Sequence, residues 1–595
     1  MFLLTGLALA AQVAFDSSTV NIAMRDGVHL HTRIFVPTGA HPALPIIMFR
    51  TPYGIDHADG MFKNYFKELA DEGYIFVFQD IRGRFTSEGQ FVMLRPPRDK
   101  RDPKAVDESS DTYDTIEWLL KNVKNNNGRV GMLGISYPGW LTVMAMLDPH
   151  PALKAVSPQA SPADMFIGDD FHHGGAFRLS YGFEYAEAME TDKTVHPFAF
   201  DRYDTYDWYL KLGALSHVHA DLPTWKDFAS HPNYDAFWQR RAATPYMNKV
   251  TIPTLNVAGW WDQEDFYGPI TIYEALEQHD TNHLNYLVVG PWNHGGWGFG
   301  DGQKLGPIDF GGPTALYFRE HVQAPFFAHF LKDKGTFTQP EALVFEAGAN
   351  AWKSYDRWPA PNTVGRKLYL GAGGRLAFEP PAETGDSAFD AYVSDPAHPV
   401  PYRHRPIPST FTGSSGWPTW LSEDQRVADG RADVLTYATE PLAADVTVSG
   451  AIAAHLFAST SGTDGDWIVK LIDVYPETFD ADPKMGGYEF MVANDVLRGR
   501  FRKGYADPVP AVPNHVDAYT IDMHTQCYRF LKGHRIMVQV QSTWFPLIDR
   551  NPQTFVPNIF AATDADFQPA RQRVFRSPQF ATYLDFPVDT SRVVQ

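Results

Sequence analysis

The chain has 595 residues, 44% of them hydrophobic and 20% charged, with a net charge of −19 at pH 7. That length exceeds one core and points to two or three domains, and the negative charge argues against phosphate backbones and anionic lipid, so neither nucleic acid nor membrane is an expected partner. The single cysteine, Cys527, excludes an intramolecular disulfide and a thiolate metal cluster.

Residues 1–14 open with a short apolar run ending in small residues, and Ala8-Leu9-Ala10 fits a signal-peptidase site, although no basic residue precedes it. They read as the remainder of a signal peptide, hence a periplasmic or secreted protein; an ordinary hydrophobic N-terminus is the alternative. No later stretch is apolar for long enough to span a bilayer.

Ser18 to Pro37 alternates apolar and polar residues and predicts an opening antiparallel strand pair. Pro45 to Arg50 is a continuous apolar run, as in a strand covered on both faces, and ends in Arg50-Thr51-Pro52-Tyr53. A helix over Met61 to Glu72, a buried strand over Tyr74 to Asp80 and a helix with Ile116, Leu119 and Val123 on one face follow. Gly131 to Ile135 and Leu153 to Val156 are two more strands, with a helix after Ser136 between them. Strand and helix alternating in this way implies a parallel, doubly wound sheet with its ligand site at the carboxyl ends of the strands.

From Pro162 to Tyr246 the texture turns aromatic and strand-like runs disappear, so 162–246 is expected to be a helical cap inserted into a sheet domain formed by 15–161 and 247–358. Strands resume at Ile252 to Ala258 and His283 to Val289, and a helix over Ala315 to Lys332 is expected to close that domain. Short strands with Gly, Pro and Asp turns then make 359–595 an all-β unit, expected as a jelly-roll sandwich. The fold class is therefore α/β plus all-β.

The chemistry centres on Gly134-Ile135-Ser136-Tyr137-Pro138-Gly139, an apolar strand turning sharply into a helix as a nucleophile elbow does, with its second glycine one residue later than usual. Taken alone, a serine between glycines reads as a plain turn. Directly after two later strands come Gly259-Trp260-Trp261-Asp262-Gln263-Glu264-Asp265 and Gly290-Pro291-Trp292-Asn293-His294. A serine hydroxyl needs a histidine to take its proton and a carboxylate to orient that histidine, and the order Ser136, Asp262, His294 is that of an α/β-hydrolase.

With Arg50-Thr51-Pro52-Tyr53, these motifs resemble the X-Pro dipeptidyl-peptidase and cocaine esterase family over nearly the whole chain, and most of all its α-amino acid ester hydrolases. The resemblance implies that Ser136 is acylated, that His294 is general base and then acid, that Asp262 orients it, and that the Tyr53 hydroxyl and Tyr137 N–H form the oxyanion hole. It further implies that Asp170, Glu264 and Asp265 hold the substrate's α-ammonium group. The acids also fit a helix N-terminus, and Asp262, Glu264 and Asp265 fit a calcium loop; Asp169 is the neighbour most easily confused with Asp170. His172 and His173 are read as cap structure rather than zinc ligands. The resemblance implies no cofactor and no metal, a small α-amino ester or β-lactam amide as substrate, and a homo-oligomer, a tetramer.

The expected activity is cleavage of α-amino acid esters through an acyl-enzyme, with acyl transfer to amines such as β-lactam nuclei. A general carboxylesterase, an X-Pro dipeptidyl-peptidase and a non-catalytic jelly-roll binding protein are the alternatives, and an acylase for anionic glutaryl chains is disfavoured by the acidic cluster.

Overall fold

The computed structural model describes residues 13–589, apart from 362, 386 and 414. The expected signal-peptide remnant lies outside these residues except for its last two positions.

A ten-stranded mixed sheet carries the first half of the chain. β1 (Phe15–Ala23) and β2 (His29–Pro37) pair antiparallel along their whole length, as the alternation required. β3 (Leu44–Thr51), β4 (Ile75–Asp80), β5 (Asn126–Ile135), β6 (Leu153–Gln159), β7 (Thr254–Gly259) and β8 (Asn285–Gly290) run parallel in the centre. Every residue of β3, β4 and β7 is buried. That is why these strands read as unbroken apolar runs: helices cover both faces, so neither face selects for polar residues.

Three local features differ from expectation. The helix expected over Met61 to Glu72 is a 3₁₀ turn (Ala58–Lys63) followed by α1 (Lys67–Glu72). The chain breaks at Asn64, and Tyr65 and Phe66, 2% and 0% exposed, lie in the core between the two turns. The helix over Ala315 to Lys332 contains a π-helical turn at Arg319–Gln323 just before Pro325, which has no N–H to donate and crowds the preceding turn. Nor does that helix close the sheet: β9 (Ala342–Glu346) adds parallel to β8, and β10 (Ala351–Tyr355) adds antiparallel at the edge.

α2 (Glu108–Asn122) begins with a capping box between Asp107 and Ser110. α3 (Tyr137–Leu147) follows β5 directly. The segment read as a cap carries α4 (Leu179–Glu190), α5 (Thr205–Leu212), α6 (Pro223–Ser230) and α7 (Ala236–Gln239). It also holds one short hairpin, His172–His173 against Ala176–Phe177, too brief to leave a strand-like run in the sequence. α8 (Tyr267–Glu277) packs on β7 and β8.

The rest is an all-β sandwich. Its longest strands are β11 (Val446–Thr460) and β14 (Asp517–Phe530), an antiparallel pair, with β12 (Asp466–Val474) between β13 (Glu489–Arg498) and β15 (Arg535–Gln541). β13 and β14 face the loops at the carboxyl ends of the parallel strands: Trp261 Nε1 donates to the Met491 carbonyl (2.9 Å).

Candidate active site

Ser136 follows β5 as the N-cap of α3 with φ 68° and ψ −132°, a left-handed conformation that a non-glycine residue holds only when its surroundings impose it. Its N–H donates to the Gln159 carbonyl of β6 (2.9 Å), and the Trp140 N–H donates back to its carbonyl (2.9 Å). The two glycines are spacers. A Cβ on Gly134 would lie 2.4 Å from the Pro138 backbone, and one on Gly139 would lie 2.4 Å from the Gln159 carbonyl oxygen. The late second glycine therefore sits where the helix touches the next strand. Gly134→Ala is expected to cost about 1–3 kcal/mol by overpacking, read as a lower melting temperature together with lost fluorophosphonate labelling of Ser136.

The loops after β7 and β8 are tied to each other. Trp260 and Trp261 donate their N–H groups to the carbonyls of Gly290 and Trp292 (2.9 and 3.0 Å), and a Cβ on Gly259 would meet the Trp292 carbonyl oxygen at 2.3 Å. This brings Asp262 against His294: Nδ1 lies 2.8 and 3.0 Å from the two carboxylate oxygens. Asp262 Oδ1 also accepts the N–H groups of Glu264 and Asp265 (2.9 and 3.0 Å). One carboxylate thus holds the turn and orients the imidazole, combining the capping and orienting roles. Gln263 Oε1 accepts the His294 N–H (3.1 Å) and fixes the loop from the other side.

Ser136 Oγ is not hydrogen-bonded to His294. The imidazole Nε2 is buried without a hydrogen-bond partner, and a Glu264 carboxylate oxygen lies 3.3 Å from it. Burial alone would depress the His294 pKa, but the carboxylates of Asp262, Glu264 and Asp170 outweigh it and raise the pKa to about 10.

Asp170, Glu264 and Asp265 converge beside this pair but are held differently. Glu264 Oε1 accepts from Trp417 Nε1 (2.7 Å) and Gln263 Nε2 (3.1 Å), and Oε2 accepts from the Tyr181 hydroxyl (3.0 Å). Among the described residues, Asp170 Oδ1 and both carboxylate oxygens of Asp265 are buried without a hydrogen-bond partner. Burial first, and Glu264 second, push the Asp170 carboxyl up to about 7. Burial with Asp170, Asp169, Asp262 and Glu264 around it holds Asp265 well above the carboxylate range. Asp169 is different: it accepts the N–H groups of Ala163 and Asp164 at Oδ2 (2.7 and 2.8 Å) and of Gly268 at Oδ1 (2.9 Å), so it braces the backbone.

Aromatic rings roof the cluster. Tyr181 stacks on Tyr185 (centroids 5.6 Å, 9°) and on Trp417 (5.6 Å, 24°). Arg178 lies against the Tyr181 and Trp417 rings and donates to the backbone carbonyls of Asp170, Gln263 and Glu264 rather than to the Asp170 or Glu264 carboxylate. The sequence reading missed Arg178, Tyr181, Tyr185 and Trp417. Aromatic density was the only signal for them, and Trp417 arrives from the all-β unit.

Tyr53, 38% exposed, closes the site from the loop after β3. Its hydroxyl is 2.8 Å from that of Tyr185 and faces the Ser136 side chain. Buried Arg50 anchors the loop by pairing with Glu108 (2.9 Å), and Arg84 donates to the Pro52 carbonyl (3.0 Å) while reaching the cap at the Met189 carbonyl. Tyr137, first residue of α3, has an N–H with no intrahelical acceptor, pointing from the helix N-terminus beside Ser136.

His172 is a core residue, stacked on Phe166 (4.7 Å) with Nδ1 3.1 Å from the Met165 carbonyl. Among the described residues, the ligand atoms of His173, Asp495 and His524 converge within 4.8 Å, and those of the acidic cluster do not. Asp495 bridges His173 Nδ1 (3.0 Å) and His524 Nε2 (2.7 Å), tying the cap hairpin to β13 and β14. His524 reaches it from a left-handed position (φ 63°) at an irregularity in the β11–β14 pairing.

This arrangement has counterparts. Residues 26–296 match the family model described as X-Pro dipeptidyl-peptidase (S15 family), and residues 335–585 match that of the X-Pro dipeptidyl-peptidase C-terminal non-catalytic domain. Cocaine esterase of Rhodococcus sp. (strain MB1 Bresler) is 28% identical over 96% of this chain and 98% of its own. An aminopeptidase from a marine sediment Thaumarchaeota archaeon is 42% identical, covers 99% of both chains and superposes with a TM-score of 0.94. An α-amino acid ester hydrolase is also 42% identical, over 98% of both chains, with a TM-score of 0.92. With an elbow serine, a paired aspartate and histidine on adjacent loops, and relatives that match from end to end, the chain belongs to the X-Pro dipeptidyl-peptidase (S15) family of serine hydrolases, alongside cocaine esterase.

Proposed function

We propose that the protein hydrolyses esters of α-amino acids through an acyl-enzyme on Ser136. His294 takes the serine proton as Oγ adds to the acyl carbon and returns it to the departing alcohol; Asp262 holds the imidazole. The Tyr53 hydroxyl and the Tyr137 N–H receive the developing oxyanion, where losing one donor costs about 10²–10³ in rate. Water resolves the acyl-enzyme, and an amine such as a β-lactam nucleus that takes its place receives the acyl group instead.

The observation that carries this reading is the set of buried carboxylate oxygens on Asp170 and Asp265 that lack a partner. Without a counter-charge these buried carboxyls are pushed towards their neutral form, and ionising them costs several kcal/mol that a cation would return; an α-ammonium group beside the reacting carbonyl supplies one. The α-amino acid ester hydrolase and the aminopeptidase that this chain resembles act, as their names say, on substrates with a free amino group.

The test compares an α-amino ester, its des-amino analogue and an X-Pro anilide, with fluorophosphonate labelling to locate the nucleophile. The α-amino ester is expected to dominate; equal rates for the first two would falsify the ammonium site, and an adduct elsewhere than Ser136 would overturn the nucleophile. The pH dependence has a definite sign. With Asp170 raised to about 7, its carboxyl is neutral in acid and holds a cation less well. KM for the α-amino ester is therefore expected to rise from pH 7 to pH 5, while that of the des-amino analogue stays level.

A further inference from the structure

Glu264 stands closer to the catalytic histidine than cation binding requires. One of its carboxylate oxygens is 3.3 Å from His294 Nε2, the nitrogen that must face Ser136, while Asp262 occupies Nδ1 on the opposite edge. The imidazole is clasped between two carboxylates, and both side chains of the His294–Glu264 pair are only 12% exposed. Glu264 is held in that pose by the Tyr181 hydroxyl and by Trp417 Nε1.

We propose, resting on the ammonium reading above, that Glu264 is a resting-state lock on His294: in the empty site it holds the Nε2 edge of an imidazolium, and the arriving α-ammonium takes over its charge and frees the base. The groups around the pair are Asp262, Glu264 and Asp265 from the loop after β7, Asp170, Arg178 and Tyr181 from the cap, Ser136 from the elbow and Tyr53 from the loop after β3. Four of these are carboxylates, and the cation nearest them, Arg178, is committed to backbone carbonyls. Without a ligand the imidazolium is the positive charge that answers the cluster; with one, the ammonium is.

The exchange balances. As the ammonium enters, the imidazolium loses its Nε2 proton to solvent, one positive charge replacing another. Ser136 then passes its hydroxyl proton to the vacated Nε2 while Oγ bonds the acyl carbon, and that proton leaves on the alcohol as the acyl carbon–alkoxy bond breaks. The α-amino group thus acts twice, in binding and in switching the base on, so a neutral ester meets a base that is protonated.

The experiment compares two acid limbs in the wild-type enzyme. Phosphonylation of Ser136 by a neutral fluorophosphonate reports the base in the free enzyme, and kcat for an α-amino ester reports it in the substrate complex. The kcat limb is expected at least roughly two pH units below the labelling limb, equivalent to about a hundredfold slower labelling at neutral pH than the complex's base would allow. In Glu264→Gln the labelling limb is expected to move down towards the kcat limb, and in Glu264→Asp, which keeps the charge but withdraws it, part of the way. Coincident limbs in the wild type, or a labelling limb unmoved in Glu264→Gln, overturn the lock while leaving the ammonium site standing. If the α-amino ester is not preferred over its des-amino analogue, the ammonium reading itself fails.

Discussion

Ser136→Ala and His294→Ala are each expected to lower kcat for an α-amino ester by about 10⁶, because nucleophile and base act as a unit and losing either removes the whole covalent route. Asp262→Asn is expected to cost about 10⁴, since the imidazole is then held in the wrong tautomer. Asp262 does more here than in an isolated triad: the same carboxylate accepts the N–H groups of Glu264 and Asp265. Asp262→Asn is therefore expected also to loosen the ammonium site and raise KM, a combination that Ser136→Ala does not produce. Substrate binding by the inert Ser136→Ala variant, measured calorimetrically, checks the difference. Retention of more than about a hundredth of wild-type kcat in His294→Ala would remove this histidine from the chemistry.

Asp265→Asn is expected to lower kcat/KM for α-amino esters by about 10²–10³, the range for breaking one buried ion pair, with little change for the des-amino analogue. Among the described residues both carboxylate oxygens of Asp265 are buried without a hydrogen-bond partner, which is what motivates the expectation. The same variant is expected to melt higher than the wild type without ligand, and the gain has a pH sign. A carboxyl whose pKa is raised in the folded state contributes stability that is present below its unfolded pKa and lost as pH rises through the folded one. Asp170, raised from 3.8 to about 7, loses that contribution between those values, and Asp265, raised by burial and the neighbouring carboxylates, loses its own in the same direction. The advantage of Asp265→Asn in melting temperature should therefore grow from pH 5 to pH 8. An α-ammonium ligand should abolish it by stabilising only the wild type. A variant that melts lower at pH 8 with selectivity unchanged would show Asp265 to be a structural residue.

These variants are expected to separate the chemistry from its selectivity: replacing Ser136 or His294 should remove acyl transfer for every ester, whereas replacing Asp265 should act on one class. The expected division follows the chain: Ser136, Asp262 and His294 sit on loops fixed by buried parallel strands, and Asp170, Glu264 and Asp265 sit where the loop before α4 and the loop after β7 meet under rings from α4 and Trp417.

Much of this was legible in the sequence for a definite reason. Strands covered on both faces leave unbroken apolar runs, so β3, β4, β5, β7 and β8 announced themselves, and the residues directly after them named Ser136, Asp262 and His294 in order. The edge strand β10 carried no such signal because it is only partly covered, and β9, fully buried but five residues long, was missed. The break at Asn64 and the π-turn before Pro325 answer to neighbours that periodicity does not register.

By itself, then, the sequence determined the fold class, the elbow and the order of Ser136, Asp262 and His294 behind their strands, all of which follow from local burial patterns. Only the tertiary structure separated Asp170 from Asp169, two identical side chains in adjacent positions: Gly268, 99 residues away, helps to satisfy Asp169, and Asp170 is left with a free buried oxygen. It also brought Trp417 onto Glu264 across 153 residues and set that carboxylate against the nitrogen of the base. A residue's partners depend on where distant segments of chain arrive, and a one-dimensional pattern records burial but not who is buried beside whom.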